Sequence, residues 1–196
     1  NENTKEAGVL LGNYVAGLVE SELQNGLTAP AAGFLDGTDP FTQLAQLGIT
    51  TNGELDEKIL LGTLSVDEAA LDAALAEDYE AVVSLFSSRH EGTSDSSYLS
   101  FYTSSETLTE PGTYEVKAVF DASGNITGAY MRQEGASTWN EAGIDSPYIH
   151  GLSGNPEYSL WVRAEWDGVS TEQTATVPVK QSVAKGLSDV VRGMTD

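Results

Sequence analysis

Two imidazoles, His90 and His150, and thirty acidic side chains are the groups of this 196-residue chain that could carry acid–base chemistry. Cysteine is absent, which removes thiolate nucleophiles, disulfides and cysteine-ligated metals together. A Ser/His/Asp triad can be written from the many serines and acids, but no G-x-S-x-G elbow accompanies either histidine. Histidines without that setting are read as structural or exposed. Acid pairs such as Asp56/Glu57 and Glu77/Asp78 invite a glycosidase reading. In a chain this acidic such pairs arise by chance, and Asp78 stands where the next helix needs a cap. Asp121-Ala-Ser-Gly-Asn125 has the look of a calcium loop without the spacing or closing glutamate of an EF-hand; a hairpin turn accounts for it. Asn125-Ile126-Thr127 fits the glycosylation pattern but falls inside that same hairpin. Trp139, Trp161, Trp166, Tyr148 and Tyr158 could line a sugar-binding face, set against the commoner use of aromatics as core. Trp161 and Trp166 are five positions apart, so in one regular strand they point to opposite faces. No catalytic residue, cofactor site or metal ligand is assigned, and a chain that is not an enzyme and needs no cofactor is expected.

The elements that would position any such group fall into two kinds of sequence. Residues 8–88 carry helical periodicity. Leu11, Tyr14, Val15, Leu18, Val19 and Leu23 make a one-sided apolar stripe, and Leu11, Tyr14, Val15 and Leu18 are the candidates for contact with a partner helix or subunit. Residues 25–37 read as a linker. A short helix follows, with Asp39 as cap, Pro40 in its first turn, Gly48 as its stop, and Phe41, Leu44 and Leu47 on one face. Ile49–Thr51 and Thr63–Ser65 are expected to pair as a small ribbon. Ser65 and Glu68 have capping-box spacing, ahead of a helix that buries Leu71, Ala74 and Leu75. Asp78 starts another that turns Val82, Leu85 and Phe86 inward.

After Ser87 the texture changes. Residues 90–97 read as a loop. Tyr114, Val116, Ala118 and Phe120 alternate up to the Asp121–Asn125 turn, and Ile126–Met131 returns, which is a hairpin. Tyr158–Trp166 and Thr171–Val179 predict a second hairpin about Asp167-Gly168, with Trp139–Pro156 as a long excursion between the two. Val183–Met194 is helical again. The expected fold is therefore α+β: a helical body of several short helices plus a small β-ribbon, residues 1–90 and 183–196, with an antiparallel β domain, residues 91–182, inserted into it.

Charge excludes some partners. Thirty acids against nine bases leave a formal net charge of -21. That field repels phosphate backbones and anionic membrane surfaces, so neither nucleic acid nor membrane is an expected partner. The acids divide evenly, fifteen in 1–90 and fifteen in 91–196, as a solvated surface does and an acidic tail does not. No apolar run approaches the roughly 20 residues of a membrane span. The chain starts at Asn1, which reads as a fragment of a longer protein.

Several blocks, in order, resemble the C-terminal region of the bacterial flagellar filament-capping protein family. They are Gly8–Asn13, Leu18–Leu23, Leu44-Ala-Gln-Leu-Gly-Ile-Thr50, Gly62-Thr-Leu-Ser-Val-Asp67, Leu71-Asp-Ala-Ala-Leu75, Val82–Phe86 and Lys185–Val190. Together they cover about half of the chain. In the β region, Gly112–Val116, Gly124–Thr127 and Gly135–Ser137 are similar to the hook motif of flagellin modules. The β module stands where many relatives have a short link, and Asn52–Leu61 is longer than the family's usual turn. The resemblance implies a structural, extracellular part of the flagellum, exported through the flagellar secretion channel with a cytosolic chaperone. It further implies a homo-oligomer at the filament tip that takes flagellin as partner and promotes its folding and insertion. The competing reading is a carbohydrate-binding or adhesive surface module carried by the aromatics; a hydrolase ranks third.

Overall fold

The computed structural model describes residues 24–51 and 64–193. Residues 24–28 are helical, and a 3-10 turn spans Leu44–Leu47. Two short strands, β1 (Ile49–Thr51) and β2 (Leu64–Val66), precede helices α1 (Glu68–Glu77) and α2 (Tyr79–Ser87). Eight strands follow: β3 (Arg89–Gly92), β4 (Leu99–Thr103), β5 (Gly112–Phe120), β6 (Ile126–Gln133), β7 (Asn140–Asp145), β8 (Tyr148–Gly151), β9 (Trp161–Ala164) and β10 (Glu172–Gln181). Helix α3 (Val183–Gly193) comes last. β3 to β10 form one antiparallel sheet in the order β3-β10-β5-β6-β7-β8-β9-β4. It curls until its edge strands meet: the Ser104 hydroxyl donates to the His90 carbonyl at 2.8 Å, and Ser94 to the Leu99 carbonyl.

Period-two patterning makes this sheet. Along β5 every second residue, Tyr114, Val116, Ala118 and Phe120, is buried, and its neighbours are half-buried. Ala175, Val177 and Val179 of β10, Ala129 and Met131 of β6, Ile149 of β8 and Val162 of β9 complete the inner face. Tyr114 is fully buried, and its hydroxyl donates to the carbonyls of Glu110 and Pro156. Burial pushes its phenol well above the ordinary tyrosine value.

These observations correct the expected architecture. The protein is mostly β, and its main core lies inside the near-closed sheet; a helical body carrying a β insert is not what forms. The physical reason is the small buried face of each helix. α1 buries fully only Ala74, and α2 only Val82 and Leu85. The second core is completed by loop residues Ala31, Phe34 and Phe41, by Leu44 and Leu47 of the 3-10 turn, and by Val183. Phe86, expected inside, is 39% exposed.

Local punctuation is partly as read. Gly48 ends the 3-10 turn in the left-handed region at φ 75°. Asp78 caps α2, its carboxylate accepting from the Ala81 N–H at 2.9 Å. The cap of α1 is Asp67, which accepts from Ala69 and Ala70 N–H. Ser65 lies two residues upstream in β2, so the Ser65/Glu68 box does not form. Asp39 is not a helix cap either: Gln43 holds that position, paired reciprocally with Gln46. The ribbon forms with Ile49 opposite Val66 and Thr51 opposite Leu64, one residue from the expected register.

The β5–β6 hairpin forms as read. The second predicted hairpin does not. β9 lies between β8 and β4, and β10 between β3 and β5. The excursion between them contains the β7–β8 hairpin, with a cis Ser146–Pro147 bond in its turn, and residues expected as loop include β3. The chain passes into the sheet beside Ser88 and out beside Ser182, and the Ser182 N–H donates to the Ser88 carbonyl at 2.9 Å. Among the described residues no helix is long and apolar enough to cross a membrane.

Candidate functional site

The candidate contact residues Leu11, Tyr14, Val15 and Leu18 lie outside the described residues, as does the acid pair Asp56/Glu57. The two histidines are separated by role. His90 is buried at the sheet seam with φ 52°, its Nε2 donating to the Thr109 carbonyl at 3.0 Å. That bond makes Nε2 the protonated nitrogen, and Nδ1 is buried without a partner. Among the described residues no serine hydroxyl bonds to the ring. His150 lies on the outer face of β8, where its ring stacks on Trp161 with centroids 4.4 Å apart.

The acids behave as structure. Asp78 is a cap, as above. Asp121 closes its own turn: Oδ1 accepts from Ser123 and Asn125 N–H, and Oδ2 from the Asn125 side chain. The Asn125 side chain, then the Asn125 and Ser123 backbones, hold its carboxyl below the usual value. The Asn125 amide nitrogen is thereby committed to the turn. Asp167 does the same for the 167–170 turn; bonds from the Ser170 side chain, the Ser170 N–H and the Val169 N–H lower it to about 2. Glu157 is fully buried, and only one carboxylate oxygen is partnered, by the Asn140 side chain at 2.9 Å. Among the described residues no group of three or more His, Asp and Glu side chains is placed to hold a metal ion.

The structure sorts the aromatics into four settings. Trp139 lies under two cations, Lys117 at 4.7 Å and Arg132 at 4.4 Å from its ring. Trp166 donates to the Ser170 carbonyl and packs over Gly124. Tyr148 and Trp161 do converge, with Tyr102 and His150 added, residues that strand alternation could have flagged on β4 and β8. Tyr158 is apart from them, its carbonyl bonded by the Thr109 hydroxyl.

The described surfaces belong to a curled antiparallel sheet with a small attached core, whose polar side chains are largely spent on turns and caps. The family profile of the flagellar hook-associated protein 2 C-terminus matches residues 1–136. The chain belongs to that family, whose members are structural proteins of the flagellar filament cap. Searches of the curated proteins and of the solved structures returned no significant match.

Proposed function

We propose that this chain is part of the cap at the tip of an extracellular bacterial flagellum, where it holds arriving flagellin subunits and promotes their folding and insertion. The match over residues 1–136 carries this reading. In the same proposal the full-length protein is a homo-oligomer, exported through the flagellar channel with a cytosolic chaperone, and it performs no catalysis. Leu11, Tyr14, Val15 and Leu18 serve as its contact with a partner helix or subunit.

Residues 1–90 and 183–196 act as one unit and 91–182 as a second, inserted unit. The Ser88–Ser182 hydrogen bond, which brings the two junctions together, supports that division. The test is a strain deleted for the gene and then complemented. Restored filaments and retained flagellin are expected; short filaments with flagellin monomers still shed into the medium would refute the capping role. Replacing Leu11 and Val15 by Ser in the complementing gene is expected to weaken oligomers, read by light scattering, and unchanged oligomers would remove the contact assignment.

A further inference from the structure

We propose that the outer face of β4, β8 and β9 is a binding platform for a neutral carbohydrate. Four rings form a continuous row there. Tyr102 lies against Tyr148 with centroids 4.6 Å apart, Tyr148 meets Trp161 edge-on at 6.4 Å, and Trp161 carries His150 at 4.4 Å and 23°. The alternate residues Ile149 and Val162 are wholly buried, so these strands have satisfied the core with one face and hold the rings on the other. Tyr102 is 57% exposed. The grouping is partly open to solvent, with Tyr148, His150 and Trp161 half-buried beside the exposed Tyr102, and a contiguous aromatic cluster at the surface marks an interaction site where scattered single aromatics do not.

The occupant follows from what the rings and their surroundings recognise. Flat aromatic faces with polar tips suit a ligand with apolar C–H faces and a hydroxyl rim, which is a pyranose. Asp145 and Arg163 are the cross-strand neighbours of Tyr148 on either side. They supply a carboxylate acceptor and a guanidinium donor for hydroxyls. A net charge of -21 selects against sialylated, sulfated or uronic chains and for neutral ones. Gly143 sets the geometry: a Cβ there would stand 2.4 Å from the His150 ring, so only glycine at that point of β7 lets the imidazole lie flat along Trp161.

The test is saturation-transfer and amide-shift NMR on the whole 196-residue chain, with maltohexaose, cellohexaose and chitohexaose as neutral probes and a hexagalacturonate as the charged one. At least one neutral probe is expected to bind, with shifts clustered on β4, β8 and β9. Tyr102→Ser is expected to weaken it about tenfold, the worth of one aromatic contact, and Trp139→Ala to leave it unchanged. Tyr102 is exposed enough for its variant to fold, and Gly143→Ala gives a second reading by displacing His150. No binding by any neutral probe, equal binding of the galacturonate, or binding indifferent to Tyr102→Ser would each overturn the proposal. So would a filament-growth defect of Tyr102→Ser without sugar binding, since the face would then be a protein contact. The sugar readout does not involve filament assembly, so its failure and that of the cap reading are distinguishable.

Discussion

Gly33 and Gly37 form a matched pair whose substitution by alanine separates backbone strain from packing. Both have left-handed backbones, at φ 76° and 79°. An added Cβ at Gly37 meets nothing within 4 Å; at Gly33 it would stand 2.2 Å from the Val179 carbonyl oxygen and 2.9 Å from the Lys180 Cα. Those atoms belong to β10, which is paired on both sides, so they cannot swing aside as a side-chain end could. The left-handed penalty of about 1–2 kcal/mol applies to both variants, and so does an opposing gain of about 0.4–1 kcal/mol from the stiffer unfolded chain. These cancel in the comparison. What is left for Gly33→Ala is a backbone clash of about 2 kcal/mol or more. At this chain length that corresponds to a melting temperature about 4–8 °C below that of Gly37→Ala. Urea unfolding followed by circular dichroism measures the same difference. Equal stabilities within about 0.5 kcal/mol would refute the idea that the 31–34 loop is clamped against β10.

Other substitutions probe single contacts. Asp67→Ala and Asp78→Ala remove the caps of α1 and α2 and are each expected to cost about 1 kcal/mol in urea unfolding, whereas Ser65→Ala costs close to nothing. Tyr114→Phe keeps the buried ring but removes the hydroxyl that serves two carbonyls, a loss of about 1–2 kcal/mol at neutral pH. Because folding raises the Tyr114 phenol above its usual 10.0, the stability linked to its proton is present below pH 10 and lost as pH rises beyond it. The variant should therefore show a shallower alkaline decline. For Asp167 the sign is opposite. Its carboxyl is lowered from 3.8 to about 2, so its contribution is whole above about pH 4 and fades as pH falls towards 2. Asp167→Asn should flatten that acid limb in thermal melts.

The sequence made β5 and β6 readable because their alternation is strict and the turn Asp121-Ala-Ser-Gly-Asn125 separates them. It made α3 readable because its apolar residues keep to one side. It misled on β9 and β10 because Asp167-Gly168 is a good turn between two β-rich runs, and turn chemistry says only where a chain bends. Whether the flanking strands pair is decided by what else competes for their edges: Val162 pairs with Ile149 and Phe101, and Ala175 with Val116. β3 was hidden because Arg89-His-Glu-Gly92 has no apolar alternation; it is a strand because the free edge of β10 holds it. The expectation of a helical body failed for a related reason. Helical spacing over nine or ten residues fixes the local shape, but the size of the buried face decides which element organises the core. Of the aromatics, Tyr148 and Trp161 were legible as surface candidates, and their meeting with Tyr102 and His150 depends on a strand order that no local pattern specifies.

The attachment of the sheet to the smaller core has a mechanical consequence. β10 belongs to the sheet core through Ala175, Val177 and Val179, and two residues past its end Val183 is already in the other core. Three contacts fix that crossing: Lys180 to Asp39 at 2.5 Å, the Gln181 N–H to the Ala32 carbonyl at 3.0 Å, and the Ser182 N–H to the Ser88 carbonyl. The side chains of the ion pair are 17% and 13% exposed, so solvent screens it less than a surface pair. No flexible linker lies between β10 and α3, because only Ser182 separates Gln181 from Val183. A partner gripping the outer face of the sheet is therefore held in a fixed direction relative to α3. Hinge motion would have to break the ion pair and both backbone bonds at once, which couples the direction of the sheet to that of the smaller core.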